Sequence, residues 1–329
     1  MKSVKEIEQE FPTLFEVLGS EYIEELKKEQ GALAKRATIN PFFRILYMRD
    51  ELGIEECFSQ AIKKKTISLD RLKRFRDEKK NVNIQNFINE LHVLNPIFDN
   101  GKFLDETDVA VSPDFLAKIK GVDVVFECVS VNEAAESEKQ RNLDTVARKK
   151  AQKEWEKQNP QGGVFSSFSE VAPFGTIQTN EIIEKIKKKK GSKQVKDYQY
   201  KILVMSFKNM SFLCRPIECL PSNGNLYDGI HSGFIFNAFY GKRGDLVFEG
   251  NRFDGARHKI TRVKSDGKFI RDSSYNLCIL HFETQPEERY KEYVFFENLN
   301  NPLPLELSNA LCDKFNPYES YTILNKYVG

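Results

Sequence analysis

The sequence predicts an α/β (α+β) protein in which a helical region precedes a sheet flanked by helices. Apolar residues recur at helical spacing through the first 80 residues, which indicates packed amphipathic helices. Residues 122–131 form an apolar, β-branched run with charges only at Asp123 and Glu127, a pattern typical of a largely buried strand. An amphipathic segment at 180–190 is followed by a second apolar run at 200–206, so strand, helix and strand alternate.

The chain is predicted to divide into a helical N-terminal region at 1–80 and an α/β domain at 81–329. Helix-stopping and helix-starting residues bound the periodic segments of the first region, and these segments are 7–18, 42–52, 57–65 and 69–79. A further amphipathic helix at 83–94 would lead the α/β domain.

The remainder of the α/β domain is predicted from composition. Residues 132–159 are rich in Glu, Lys, Arg and Gln and would form a charged helical insertion. Phe- and Tyr-rich segments after Ser206 are expected to be strands that extend the sheet. One helix is expected in the chain from Leu305 onwards.

A β-hairpin is predicted around Gly121. Residues 114–120 alternate at close to strand periodicity, Gly121 marks a turn, and the apolar strand at 122–131 follows. Asp114 then begins one strand and Glu127 lies midway along the other, so the two carboxylates can face each other across the ladder. The hairpin therefore places two carboxylates where a divalent metal ion could bind.

Glu127 needs an explanation because a buried carboxylate is destabilising unless it is paired or ligates a metal. One interpretation is that a Lys or Arg side chain neutralises Glu127, or that Glu127 points to solvent from an edge strand. The other interpretation is a metal site shared with Asp114. Spacing alone leaves both open.

Residues 103–115 and 124–130 resemble the active-site hairpin of the PD-(D/E)XK nucleases, the restriction-endonuclease-like superfamily. Segments at 180–206, 234–241, 276–281 and 296–304 resemble, in their order, bacterial proteins that share this hairpin, so the resemblance extends from residue 83 to about 305. It implies a restriction-endonuclease-like core with a mixed central sheet.

The resemblance also implies a chemistry. Asp114 and Glu127 would bind Mg²⁺ (or Mn²⁺) for cleavage of phosphodiester bonds, with the backbone carbonyl of Cys128 facing the metal. Glu90, on the helix at 83–94, resembles a glutamate that completes the metal site, although a surface role is the alternative. The family's lysine, two residues after the glutamate, is replaced by Val129, so another side chain would have to orient the water.

A lysine from the segment 180–190 could supply the missing cation. Ile182, Ile183 and Ile186 share one helical face, and Lys185 lies beside that face, which makes it the first choice for a catalytic lysine. The neighbouring Lys188, Lys189 and Lys190 are candidates for binding the phosphates of DNA. A solvated basic helix face is the alternative for each of these lysines.

Composition sets the remaining limits. With 329 residues, 40% apolar and 30% charged, the chain can bury one sizeable core and a smaller unit. It has no apolar run of membrane-spanning length and no secretion signal at its start, so a cytoplasmic location is expected. The six cysteines and four histidines show no metal-ligand spacing, and His281, within a strand, is interpreted as structural.

Two classes of function follow from the sequence. The first is a metal-dependent endonuclease acting on DNA, with RNA still open as a substrate. The second is a nuclease-like module that binds nucleic acid or another partner without cleaving it, which the replacement at Val129 would explain. The net charge of +2 is too small to decide between them, and the oligomeric state is open, a dimer included.

Overall fold

The computed structural model of the protein describes two compact units, one of Met1–Ser130, Gly191–Lys208 and Ser273–Gly329, the other of Val131–Lys190 and Asn209–Asp272. The described residues are 2–29, 40–48, 50, 53–104, 113–131, 146–147, 150–161, 183–188, 195, 197–207, 216–221, 233–249, 259–271, 274–282 and 292–321.

Nine strands lie in the described residues, and two of them belong to the second unit. In chain order they are β1 Gly101–Phe103, β2 Phe115–Ile119, β3 Val122–Ser130, β4 Tyr200–Ser206, β5 Leu246–Glu249, β6 Lys259–Arg262, β7 Leu277–His281, β8 Tyr293–Glu297 and β9 Glu319–Tyr321.

The first unit is built on one mixed sheet with the strand order β1-β2-β3-β4-β7-β8-β9 among the described residues. The pairs β1/β2, β2/β3 and β7/β8 are antiparallel, whereas β3/β4, β4/β7 and β8/β9 are parallel. The expectation of an α/β fold with a mixed central sheet is confirmed. The strands β3, β4 and β7 are largely apolar, and the residues at their centres are buried.

The β2–β3 hairpin forms where the sequence predicts it. Lys120 and Gly121 occupy its two-residue turn with φ of 51° and 80°, and such positive φ values at both turn positions match the right-handed twist of the flanking strands. Glycine adopts this conformation without steric strain. The register that follows pairs Phe115 with Phe126 and fixes which side chains share a face.

The helices of the first unit cover one face of this sheet. One apolar core includes Ile7 and Phe42 from the N-terminal helices, Phe126 from β3 and Phe315 near the other end of the chain. Apart from helical residues at 146–147, 150–158 and 183–188, the α-helices of the described residues are, in chain order, α1 Val4–Glu10, α2 Pro12–Leu18, α3 Ser20–Leu26, α4 Pro41–Phe43, α5 Ile54–Lys63, α6 Leu69–Lys73, α7 Asn81–Leu94, α8 Phe234–Tyr240, α9 Lys268–Arg271 and α10 Leu305–Phe315.

Shorter helical turns extend or link these helices. Arg44–Met48 continues α4 as a π-helix. The 3₁₀ turns are Lys27–Glu29, Arg74–Arg76, Asn95–Asn100 and Pro216–Cys219. The predicted helices at 57–65, 69–79 and 83–94 and the helix from Leu305 are thus present, each with bounds shifted by a few residues or finished by a 3₁₀ turn.

The second unit contains α8, α9 and the antiparallel β5–β6 pair. The Phe- and Tyr-rich segment at 234–240 was expected to be a strand, and this expectation is wrong. Its buried residues Phe234, Ile235, Ala238 and Phe239 follow helical spacing, and Gly233 in the left-handed conformation precedes the helix. Aromatic composition favoured a strand, but the burial of one helical face decided the outcome.

The charged insertion predicted at 132–159 is described in part. Residues 132–145 lie outside the described residues, and residues 150–158 are helical. Residues 183–188 are also helical, within the predicted segment 180–190. In the described part of the chain, no helix combines the length and apolar character needed to cross a membrane.

Candidate functional site

The hairpin brings Asp114 and Glu127 to equivalent positions on neighbouring strands. Phe115 of β2 pairs with Phe126 of β3. Asp114 directly precedes Phe115, and Glu127 directly follows Phe126. Because the strands are antiparallel, Asp114 therefore lies opposite Glu127. Residues directly opposed in an antiparallel pair project from the same face of the sheet.

Glu127 is buried, with a relative exposure of 4%. Its Oε2 accepts a hydrogen bond from the hydroxyl of Tyr275, a fully buried residue that lies two positions before β7. Burial raises the pKa of Tyr275 well above its ordinary value, and the hydrogen bond to Glu127 and the charge of that carboxylate raise it further. The tyrosine is therefore a protonated donor that stabilises the buried carboxylate.

Asp114 is fixed by the backbone of β3. Its Oδ2 accepts a hydrogen bond of 2.7 Å from the backbone N–H of Cys128. The negative charge of Asp114 also contributes to the raised pKa of Tyr275, as that of Glu127 does. Both carboxylates thus act on the same tyrosine hydroxyl, and the hairpin holds them in one electrostatic environment.

Cys128 and Glu90 lie toward the helical side of the sheet. Side chains alternate along β3, so Phe126 and Cys128 face the core while Glu127 projects from the opposite face. Burial raises the pKa of the Cys128 thiol well above its usual range, with further contributions from Asp114, Glu90 and Glu127. Because the thiol lies on the face opposite to Glu127, only the backbone of Cys128 suits a metal site at the hairpin.

The predicted lysines lie in the second unit. Lys185 is partly buried, and Lys188 is exposed, with its Nζ 3.6 Å from Oε2 of Glu184. Lys189 and Lys190 lie outside the described residues. Lys187 of the same helix donates a 2.6 Å hydrogen bond to the carbonyl oxygen of Ser265, and burial lowers its pKa. The roles of Lys185, Lys188, Lys189 and Lys190 remain predictions.

Lys201 is a candidate that the sequence analysis did not select. In the parallel β3–β4 pair it is the partner of Val125, two residues before Glu127. Strand alternation places Lys201 on the face of the sheet from which Val125 and Glu127 project. The sequence feature that could have indicated Lys201 is its place as the second residue of a strand that is otherwise largely apolar.

A second group of polar side chains lies elsewhere in the first unit. Among the described His, Cys, Asp and Glu residues, His92, His281 and Glu292 bring three potential ligand atoms within 4.8 Å of one another. Spacing along the chain gave no indication of this group, because α7, β7 and the residue before β8 each supply one member.

No protein-family model, curated protein or solved structure matches this chain. The functional assignment therefore depends on the residues themselves.

Replacing Tyr275 tests the pairing at Glu127. Tyr275→Phe removes the hydroxyl that donates to a buried carboxylate, and we expect the free energy of unfolding to fall by about 1–3 kcal/mol. Urea denaturation of Tyr275→Phe, Glu127→Gln and the double variant measures the coupling between them. Additive effects of the two substitutions would contradict a direct interaction.

Proposed function

We propose that the protein is a divalent-metal-dependent nuclease that hydrolyses phosphodiester bonds of DNA, with Asp114 and Glu127 as the metal-binding carboxylates. The observation that carries the proposal is the burial of Glu127 beside Asp114 on one hairpin. Burying a charged carboxylate in an apolar strand lowers stability, and a metal ligand is one function that accounts for it. The resemblance of the hairpin to the PD-(D/E)XK nucleases points to the same chemistry.

The donors suit Mg²⁺, or Mn²⁺ in its place, since both ions prefer hard oxygen ligands. Asp114 and Glu127 would hold the ion, with the backbone carbonyl of Cys128 as a further candidate, whereas Glu90 lies toward the opposite, helical face of the sheet. When bound, the ion would lower the pKa of a water and stabilise charge on the phosphate. The protein contributes the orientation, because the Cys128 N–H and the Tyr275 hydroxyl each fix one carboxylate oxygen.

A cation is needed to orient the attacking water, since Val129 occupies the position of the family's lysine. Lys185 is the candidate from the sequence. Lys201 is the candidate from the sheet, because it belongs to the same unit as the carboxylates and projects from the same face as Glu127. Lys188, Lys189 and Lys190 are proposed to bind the phosphates of DNA. RNA is the alternative substrate.

The second candidate function is a nuclease-like module that binds nucleic acid or another partner without cleaving it. Val129 favours this alternative, because it is an apolar residue aligned with Met205 in the sheet and has no group that could act on water. A fold of this class can be retained after its catalytic group is lost.

Metal-dependent cleavage distinguishes the two functions. With Mg²⁺ or Mn²⁺, the unaltered protein is expected to nick supercoiled plasmid DNA. Asp114→Asn and Glu127→Gln should each lower the rate at least about a hundredfold, the scale seen when one transition-state-stabilising group is removed. Asp123→Asn is the matched control, because Asp123 is an exposed carboxylate on the same strand.

If the unaltered protein cleaves neither DNA nor RNA with either metal ion, the non-cleaving module is the better description. Thermal unfolding of each variant shows whether a loss of cleavage reflects a loss of fold.

The two lysine candidates are separated by single substitutions. Lys185→Ala or Lys201→Ala is expected to abolish cleavage while leaving Mn²⁺ affinity within about twofold, because the carboxylates are unchanged. Lys118→Ala, at an exposed position on β2, provides the control. Full cleavage by both the Lys185 and the Lys201 variants would show that the cation comes from elsewhere.

DNA affinity tests the basic segment. Replacing Lys188, Lys189 and Lys190 together by Glu should raise the dissociation constant for a short duplex at least about tenfold at low salt and flatten its salt dependence, because phosphate contacts release counterions. Lys79→Glu, an exposed lysine in the first unit, is the control. Unchanged affinity, measured by fluorescence anisotropy, would assign these lysines to solubility.

A further inference from the structure

Three side chains from distant parts of the first unit converge at one end of the sheet. His92 lies in the last turn of α7, His281 is the last residue of β7, and Glu292 directly precedes β8. His92 Nδ1 is 3.3 Å from His281 Nε2, His281 Nε2 is 3.0 Å from Glu292 Oε1, and His92 Nδ1 is 3.5 Å from Glu292 Oε1. The three atoms form a nearly equilateral triangle.

The dimensions of this triangle match one face of a metal coordination sphere. Ligand atoms about 2.0–2.1 Å from a tetrahedral zinc ion are about 3.3 Å apart, close to the middle of the three observed distances. We propose that His92, His281 and Glu292 form a binding site for a divalent transition-metal ion, with Zn²⁺ as the representative.

The donor chemistry selects the class of ion. Two imidazole nitrogens and one carboxylate oxygen suit zinc and similar transition metals, whereas Mg²⁺ prefers oxygen ligands alone. The site is thus different in kind from the pair Asp114 and Glu127, and it does not depend on the proposed nuclease function.

The position in the sheet also separates the two sites. Leu277 and Ile279 on β7 face the helical core, and alternation places His281 on that same side. Glu127 projects from the opposite side of the sheet. One ion cannot be shared by both groups.

Neighbouring residues hold the imidazole of His281 in a ligand geometry. Ser206 Oγ lies 3.4 Å from Nδ1 of His281, and the Tyr293 ring stacks on it with centroids 5.1 Å apart and an interplanar angle of 18°. A hydrogen on Nδ1 directed at Ser206 leaves the lone pair of Nε2 for the ion, the arrangement common around metal-bound histidine. Ser206 and the Tyr293 ring therefore restrict the orientation of the His281 ring, and an ion bound at Nε2 would select the tautomer with its hydrogen on Nδ1.

Two of the three ligands are partly exposed to solvent. The side chain of His281 is fully buried, whereas those of His92 and Glu292 retain 16% and 19% exposure. Three described protein ligands would leave a fourth tetrahedral position for water. Zinc sites with three protein ligands and a water are characteristic of catalytic rather than purely structural centres.

The experiment uses the full chain, stripped of metal with a chelator and titrated with ZnCl₂ alone. With excess MgCl₂ in the buffer to occupy the hairpin carboxylates, we expect one zinc ion per chain by calorimetry and by metal analysis after dialysis. His92→Gln and Glu292→Gln should each weaken binding at least about tenfold, since each removes one ligand. These two positions are chosen because both side chains are partly exposed. Substitution there is expected to disturb the fold less than substitution of the buried His281.

Two controls make the result specific. Glu306→Gln alters an exposed carboxylate in the first turn of α10 and should leave zinc affinity unchanged. Glu127→Gln should also leave it unchanged, which separates this site from the hairpin carboxylates. Co²⁺ in place of zinc should give the intense visible absorption of a four-coordinate ion, and His92→Gln should remove it.

The proposal is overturned if the stripped protein binds no zinc, or if folded His92→Gln and Glu292→Gln bind it as tightly as the unaltered chain. Circular dichroism confirms that each variant is folded before it is titrated. A failure to cleave nucleic acid has no bearing on this result, because that assay reports on the other face of the sheet.

Discussion

The central parallel strands impose the constraint on which the rest of the first unit depends. β3, β4 and β7 are joined side by side in parallel, and such strands are stable only when both faces are shielded from water. The N-terminal helices and α7 supply that shielding on one face, which is why Ile7 and Phe42 share a core with Phe126. Polar side chains on these strands are therefore buried, and each needs a hydrogen-bond partner or a bound ion to be stable there.

This constraint produces two polar clusters of different character. On one face, Glu127 is stabilised by a neutral hydroxyl from Tyr275, and Asp114 by a backbone amide. On the other, two imidazoles and a carboxylate approach one another closely at the end of β7. The first offers carboxylate oxygens and the second offers two imidazole nitrogens and one carboxylate oxygen, so the two proposed sites would differ in the metal ions that they prefer.

Local patterns were sufficient to predict the elements that carry the hairpin carboxylates. The turn at Lys120 and Gly121, the strand at 200–206 and the helix at 83–94 depend on alternation, turn chemistry and helical periodicity, all of which act between near neighbours. The aromatic segment at 234–240 was misread because aromatic residues favour strands on average, and only its burial pattern identifies a helix.

The partners within each cluster could not be predicted in this way. Tyr275 is 148 positions from Glu127, and His281 is 189 positions from His92. Such contacts are set by the order of strands in the sheet, and spacing in a single sequence contains no measure of that order. The histidines gave no ligand pattern because each ligand is contributed by a different element.

The shared core has a further consequence for how the chain is made. Phe42 and Leu311 belong to one apolar cluster, so the helices synthesised first cannot complete this core until β7, β8 and α10 have left the ribosome. At about 5–20 residues per second, that delay is on the order of tens of seconds. During this interval the apolar surface that these helices bury against β7, β8 and α10 lacks its native partners, the condition under which partly folded chains associate.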